Sequence, residues 1–95
     1  MQNSIEIFSI ALGLTEPWFV KEVVFDKERF QLDIFLGFKK GHPFLMEDGH
    51  YYSAHDTIER RWEHLNFFQH KCYLHANVPR VKQLDGKIKT QEVPW

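Results

Sequence analysis

The sequence predicts an α+β fold in which one N-terminal helix precedes a mainly antiparallel β-sheet of hairpins. Apolar residues between Ser4 and Leu14 recur every three to four positions, as they do along one side of a helix. Further along the chain they recur at every second position, which is the period of a half-buried strand. Short polar segments separate these strands, as in hairpin turns. We expect residues 1–95 to form a single domain.

The helix is expected over residues 4–13, with either Asn3 or Ser4 as its N-terminal cap. Gly13 should end the helix, and Pro17 prevents it from resuming. Its apolar positions are Ile5, Phe8 and Leu12, flanked by Ile7, Ala11 and Leu14. A helix this apolar is expected to pack on the sheet, and the alternative is an amphipathic segment that binds a partner.

A first hairpin is expected over residues 18–38, with the polar segment 26–29 as its turn. Its second strand alternates strictly between apolar and other residues, so one face should be buried. The residues predicted on that face are Phe30, Leu32, Ile34, Leu36 and Phe38. Phe35 falls on the opposite face, where it would cover a second layer or a partner.

The rest of the chain repeats this design. A second hairpin region is expected over residues 44–56, with Asp48-Gly49 in its turn, and a C-terminal strand over residues 87–93 after a turn at residues 83–86.

A third hairpin is expected over residues 57–82. Residues 57–65 also fit a helix, but we favour a strand that turns between residues 66 and 70 into the next strand. The buried face of that next strand is predicted to hold Cys72, Leu74, Ala76 and Val78. Pro79 cannot donate to a strand ladder, so it should mark an edge or the end of regular pairing.

Composition limits the class of protein. The single cysteine, Cys72, excludes an internal disulfide and fits the reducing cytoplasm. The sequence has no run of about 18 apolar residues and no basic signal-peptide start, so we expect a cytoplasmic protein without a membrane partner. The net charge is -1, but residues 55–95 hold seven Lys/Arg against five Asp/Glu, whereas residues 1–54 hold five against eight. The second half can therefore present a basic face.

The densest group of distinctive residues runs from Trp62 to His70 and continues through residues 73–76 and 78–81. Their order resembles the N-terminal region of bacterial insertion-sequence transposases of the ISL-three type. Further matches are Leu12-Gly13-Leu14, Pro17-Trp18, His55-Asp56-Thr57 and Val93-Pro94-Trp95. The resemblance implies a zinc-ribbon-like fold and an accessory DNA-binding role at transposon ends. It also implies that this chain is such a domain or a truncated remnant of a transposase.

The resemblance places two cysteine-containing knuckles in the turns at residues 44–49 and 82–87. Neither turn contains a cysteine, and Tyr52 stands where related sequences tend to have one. A structural zinc needs four thiolate or imidazole ligands, and the six histidines and Cys72 do not have paired ligand spacing across the turns. We therefore predict a zinc-ribbon-like fold without zinc or another cofactor. Packing of the apolar replacements Leu45, Met46 and Leu84 is expected to fill the vacated space.

We expect no enzyme in this chain. Cys72 is one of the alternating apolar residues of its strand, so its thiol should be buried and inert. The resemblance implies that the catalytic carboxylates of the transposase, which bind divalent metals, lie downstream of this segment. No catalytic residue and no small-molecule substrate are therefore assigned.

Cationic side chains near aromatic residues can hold phosphates and stack on bases, so DNA is the predicted partner. The candidate DNA-binding residues are Arg60, Arg61, Lys71, Arg80, Lys82, Lys87 and Lys89. A hairpin between residues 60 and 80 should bring the three arginines to the same end, and Pro79 should turn Arg80 outward.

The competing hypothesis is a protein-interaction module without DNA binding. In that case an aromatic surface mediates self-association into a homo-oligomer, and the basic residues only keep the protein soluble. The aromatic residues proposed for this surface are Phe35, Phe67, Phe68 and Trp95.

Overall fold

The computed structural model describes residues 4–95, except for the side chain of Ser4. One short helix is followed by strands that are mostly antiparallel, which confirms the predicted α+β class. The elements are α1 (Ser4–Ala11), β1 (Trp18–Asp26), β2 (Gln31–Phe38), β3 (Phe44–Leu45), β4 (Tyr51–Tyr52), β5 (Asp56–Phe67), β6 (His70–Lys82) and β7 (Ile88–Thr90). Asn3, one of the two predicted helix caps, lies outside the described residues. None of the helical segments described has the length and apolar character needed to cross a membrane.

Two antiparallel hairpins lie side by side in the main sheet, whose strand order is β1-β2-β6-β5. β2 and β6 run parallel, from the pair Gln31 and Lys71 to the pair Leu36 and Ala76. The turn of the β1–β2 hairpin and the turn of the β5–β6 hairpin therefore lie at the same end of the sheet. Residues 57–65, for which helix and strand competed, are in strand β5.

Pro79 is expected to mark either a sheet edge or the end of regular pairing. It does not end the pairing of β6. The strand continues to Lys82, with β5 along one edge and with β2 and then β7 along the other. The carbonyl of Pro79 accepts a hydrogen bond from the Gln91 amide on the β7 side. Because N and O of one strand residue point the same way, the missing donor of Pro79 falls between Ala76, the last residue paired with β2, and Arg80, the first residue paired with β7.

One face of the sheet carries the core. The fully or nearly buried residues of β2 and β6 are Leu32, Ile34, Leu36, Cys72, Leu74, Ala76 and Val78. Ile34, Leu74 and Trp62 form one row across β2, β6 and β5. The predicted alternation of Cys72 to Val78 is therefore confirmed.

Phe30 does not lie on the buried face, contrary to the prediction. It belongs to the turn before β2, has a left-handed backbone φ of 52°, and is 49% exposed. Phe68, in the neighbouring turn, has a φ of 56°. Left-handed backbone is uncommon for bulky residues, so alternation in the sequence is a poor guide to where these two rings point.

Helix α1 is shorter than the predicted 4–13. Gly13 has a φ of 64°, and the amide of Leu14 donates to the carbonyl of Ser9 while the amide of Gly13 donates to that of Ile10. This is a Schellman-type termination with glycine in the left-handed position. Among the described side chains of the helix, Phe8 alone is buried in the core, with Leu12 and Leu14 packed beside it. The other predicted apolar positions, Ile5, Ile7 and Ala11, are exposed, so the buried stripe of the helix is narrower than predicted.

The second hairpin region and the C-terminal strand are also shorter than the expected 44–56 and 87–93. β3 and β4 form a separate two-stranded sheet, and Asp56 already belongs to β5. A second buried cluster joins this small sheet to the main one, and its members are Trp18, Phe44 and Val81. The Trp95 ring packs edge-on against Trp18 and Trp62, with centroids 5.0 and 5.4 Å apart, and so connects both clusters.

Candidate nucleic-acid interface

The predicted DNA-binding residues do not form one cluster. Two lie on β5, three on β6 and two around β7, and they are Arg60, Arg61, Lys71, Arg80, Lys82, Lys87 and Lys89. Lys71 and Lys82 stand near opposite ends of β6. They are eleven positions apart along the strand, which is about 36 Å at about 3.3 Å per residue. A single small binding site cannot include all seven.

Arg80 and Lys89 are engaged in ion pairs. The Arg80 guanidinium binds Asp56 in a two-pronged arrangement, in which Nε donates to Oδ1 at 2.7 Å and an Nη donates to Oδ2. Hydrogen bonding to Arg80 lowers the pKa of Asp56, with a further contribution from the positive charge. Lys89 Nζ lies 3.2 Å from Glu47 Oε2. Pro79 does not loosen the strand pairing as expected, because Arg80 lies opposite Asp56 in the register and its half-buried guanidinium is bound to that carboxylate.

The three arginines also do not meet. Arg80 is opposite Asp56, which is four residues before Arg60 on β5, or about 13 Å along the strand. Arg60 and Arg61 are consecutive strand residues, so their side chains leave opposite faces of the sheet. Arg60 shares the face of Trp62, whereas the Arg61 guanidinium carbon lies 4.0 Å from the centre of the Tyr73 ring. The contact is a cation–π interaction.

The face opposite the core holds an ordered group that the sequence did not reveal. We define this outer face by five residues of β2, β5 and β6, namely Asp33, Phe35, Arg61, Tyr73 and His75. Phe35, His75 and Arg61 form one cross-strand row, and Asp33 and Tyr73 lie in the next. The parallel register of β2 with β6 and the antiparallel register of β5 with β6 place these residues together, and no local motif could have shown it.

The centre of the outer face is fixed by direct contacts. The rings of Phe35 and His75 are stacked, with centroids 4.6 Å apart and planes 15° apart. Nε2 of His75 lies 2.7 Å from Oδ1 of Asp33, while Nε2 of Gln31 donates to Oδ2 of Asp33 at 2.8 Å. These partners hold the imidazole edge against a carboxylate and leave the aromatic pair beside Arg61.

Charges on the outer face are mixed. Lys71 shares the face of Tyr73 and is exposed, but Glu63 lies opposite Tyr73 across the strands and Glu59 is nearby opposite Asn77. A surface of this kind supports contacts at particular cations rather than a broad attraction for polyanions.

The aromatic residues of the alternative hypothesis do not form one surface. Phe67 and Trp95 pack against the main core, and Phe35 is stacked on His75. Phe68 is 85% exposed in the β5–β6 turn. The other exposed apolar residues at this end of the sheet, Phe25, Phe30 and Leu65, come from outside the predicted set.

The turn between β3 and β4 and the turn between β6 and β7 share one hydrogen-bond pattern. In residues 46–50 the Met46 amide donates to the His50 carbonyl and the Gly49 amide to the Met46 carbonyl, both at 3.0 Å. In residues 83–87 the same two bonds link Gln83 with Lys87 and Gly86 with Gln83, both at 2.9 Å. Asp48 and Asp85 each accept the amide two residues later, and Gly49 and Gly86 have the same φ of 83°.

These turns occupy the places of the two knuckles that the resemblance implies, but their donor atoms do not fit zinc. No group of three or more His, Cys, Asp or Glu side chains in residues 4–95 is arranged to hold a metal ion. Cys72 is buried in the core, and burial raises the pKa of its thiol. The expected filling by apolar side chains is confirmed only for Met46, which packs against the second buried cluster, since Leu45 is 57% and Leu84 77% exposed.

Comparison with known protein families gives a match in the second half of the chain. Residues 51–82 match the family described as the zinc-finger of transposase IS204/IS1001/IS1096/IS1165. The match spans β4, β5 and β6 and confirms the resemblance predicted from the sequence. No curated protein and no solved structure matches the chain.

Proposed function

From the similarity of residues 51–82 to the zinc-finger of insertion-sequence transposases, we propose that this chain is an accessory DNA-binding domain of such a transposase. Its role is to help hold transposon ends, while another part of a parent protein carries out the strand chemistry. The observation that carries the proposal is the position of the match. It covers β4 and the whole β5–β6 hairpin, and it includes five of the seven candidate cations, Arg60, Arg61, Lys71, Arg80 and Lys82.

The contacts support a division of labour among those cations. Arg80 is bound to Asp56 and Lys89 to Glu47, so both stabilise the fold and are less available to phosphates. Arg61 and Lys71 are exposed on the outer face, next to Tyr73. We propose that Arg61 and Lys71 make the main phosphate contacts, with Arg60, Lys82 and Lys87 contributing from other positions. An arginine whose planar group already lies on a ring is well placed to meet a phosphate with its free edge.

The test is duplex DNA binding as a function of salt. The double variant Arg61→Ala and Lys71→Ala should bind more weakly than the parent chain. Its slope of log affinity against log salt should be flatter by about two, because each lost phosphate contact removes about 0.9 from the slope. Fluorescence anisotropy with a labelled duplex at several salt concentrations measures both quantities.

The matched control is the double variant Lys27→Ala and Lys40→Ala. Both lysines are exposed and lie in the acidic first half, so the net charge changes equally but the proposed interface is intact. The control should keep the parent slope. Equal effects of the two double variants, or no binding by the parent at low salt, would refute the proposal.

The competing function is self-association through the exposed apolar residues at the turn end of the sheet. Phe68 favours this function. Its ring is 85% exposed and its backbone is in the strained left-handed region, and burying the ring against a second copy of the chain would offset both costs. Sedimentation of the parent and of Phe68→Ser over a range of concentrations distinguishes the two functions. A concentration-dependent mass that is lost in the variant, together with absent DNA binding, would establish the competing function.

A further inference from the structure

We propose that a hydrogen-bond bridge centred on the hydroxyl of Tyr52 joins the two knuckle-like turns, in the role that a metal has in a zinc ribbon. The bridge would make this part of the chain a ribbon that needs no metal. The inference concerns how the fold is held together and is independent of whether the chain binds DNA.

The first observation is that the two turns have the same backbone geometry although their sequences differ at most positions. Residues 46–50 and 83–87 have in common only the Asp-Gly pair, yet they form the same two backbone bonds and the same carboxylate-to-amide bond. The left-handed glycine and the aspartate that accepts the later amide are sufficient for this geometry. Each turn is therefore held by its own hydrogen bonds, and a separate contact is needed to join the two turns.

The second observation is that one oxygen touches both turns. The Tyr52 hydroxyl donates to Oδ2 of Asp48 in the first turn and accepts the Leu84 amide of the second turn at 3.2 Å. A phenol has one proton to give and lone pairs to receive with, so it satisfies both partners at once. The ion pair between Glu47 and Lys89 adds a second connection between the first turn and β7.

The pKa directions agree with this geometry. The hydrogen bond from Tyr52 is the largest cause that lowers the pKa of Asp48, and the same bond is the largest cause that raises the pKa of Tyr52. The carboxylate is thus stabilised in its charged form and the phenol in its neutral form, as expected for a hydroxyl that donates to a carboxylate.

The groups that converge on this point do not suit zinc. They are a phenolic O–H, a backbone N–H and one carboxylate, and both oxygens of that carboxylate already accept hydrogen bonds, from His50 and Tyr52. Zinc is held by thiolate, imidazole and carboxylate donors in a tetrahedron. Two of the three groups here present a hydrogen atom, whereas a metal cation needs ligand atoms with free electron pairs.

The test compares Tyr52→Phe with Tyr51→Phe in the 95-residue chain. Both variants remove one hydroxyl from the same strand, but Tyr51 is exposed and is not part of the bridge. Hydrogen exchange followed by NMR should show the Leu84 amide exchanging roughly tenfold faster in Tyr52→Phe, the factor that corresponds to losing one net hydrogen bond. In Tyr51→Phe the exchange at Leu84 should be unchanged.

Two further measurements keep the inference falsifiable. If Tyr52→Phe does not fold, Asp48→Asn replaces it, and the Leu84 amide should again exchange faster than in Tyr51→Phe. The melting temperature of the parent chain should be the same with and without a strong chelator. Equal exchange at Leu84 in both tyrosine variants would overturn the proposal. So would stoichiometric zinc in the purified parent with a melting temperature that falls on chelation.

Discussion

Replacing Leu74 by alanine tests the core and the strand phase together. Leu74 lies on the central strand β6, is 0% exposed, and is paired with Ile34 on one side and Trp62 on the other. The substitution removes three carbon atoms, worth roughly 2.4 kcal/mol at about 0.8 kcal/mol per buried methylene. Neighbouring strands on both sides prevent the site from collapsing, so a cavity term adds to this loss. The expected cost is about 3–4 kcal/mol, within the range of roughly 2–5 kcal/mol for such substitutions.

The expected cost of Leu74→Ala is a large share of the free energy of unfolding of the whole chain. At about 0.05–0.15 kcal/mol per residue, the chain should be stable by roughly 5–14 kcal/mol. Urea unfolding followed by circular dichroism should show the midpoint lowered by about 2 M, taking a slope of about 1.5–2 kcal/mol per M.

Leu65→Ala is the matched control for this measurement. It is the same substitution in the same hairpin, but Leu65 is 83% exposed and should change stability by less than about 0.5 kcal/mol. If Leu74→Ala were no more destabilising than Leu65→Ala, the assignment of the buried face of β6 would be wrong by one residue.

Three further outcomes are expected. The pKa of Asp56 is lowered in the folded chain, so its pairing with Arg80 stabilises the fold above the unfolded pKa of about 3.9 and is lost as pH falls through the folded pKa. The stability difference between the parent and Asp56→Asn should therefore be present at pH 6 and shrink below about pH 4, and a difference that does not change with pH would contradict this. Gly13→Ala should cost about 1 kcal/mol in chemical denaturation because its φ of 64° is strained for any other residue; a neutral result would mean that the helix end has another geometry. The Cys72 thiol should react slowly with a disulfide reagent at pH 8 in the folded chain and at once in urea, since burial raises its pKa; rapid reaction without denaturant would show that the thiol is accessible.

Local patterns in the sequence were enough to predict the elements whose environment is repetitive. The alternation from Cys72 to Val78 identifies a half-buried strand because every second residue meets the same core. Gly13 identifies the helix end because the required backbone conformation is nearly specific to glycine. Phe30 shows the limit of this reasoning. Its apolar side chain continues the alternation of β2, but its backbone belongs to a turn.

The contacts of the candidate interface depend on register, which the sequence does not state. A two-residue turn at residues 68–69 would place Asp56 opposite Val81, but an irregularity between His64 and Phe67 shifts the pairing by one residue and brings Arg80 opposite Asp56. The stacked pair of Phe35 and His75 depends on a parallel contact between strands of different hairpins. The Tyr52 bridge similarly joins residues more than thirty positions apart, Tyr52 and Leu84. To predict any of these contacts, one must know how whole strands and turns are placed relative to one another, which local sequence patterns do not give.

The parallel pairing of β2 with β6 has a consequence for how the chain reaches its native state. Each hairpin closes through residues close in sequence, but Gln31 and Lys71, which are 40 positions apart, pair only after the chain between them has folded back. Closing a long loop carries an entropic cost before its contacts form, so non-local pairing slows folding. The two hairpins should therefore form early and dock late, and the docking step should set the folding rate. Most of the buried core residues lie on β2 and β6, where the two hairpins meet. We therefore expect the contacts that contribute most to stability to form mainly as the hairpins dock.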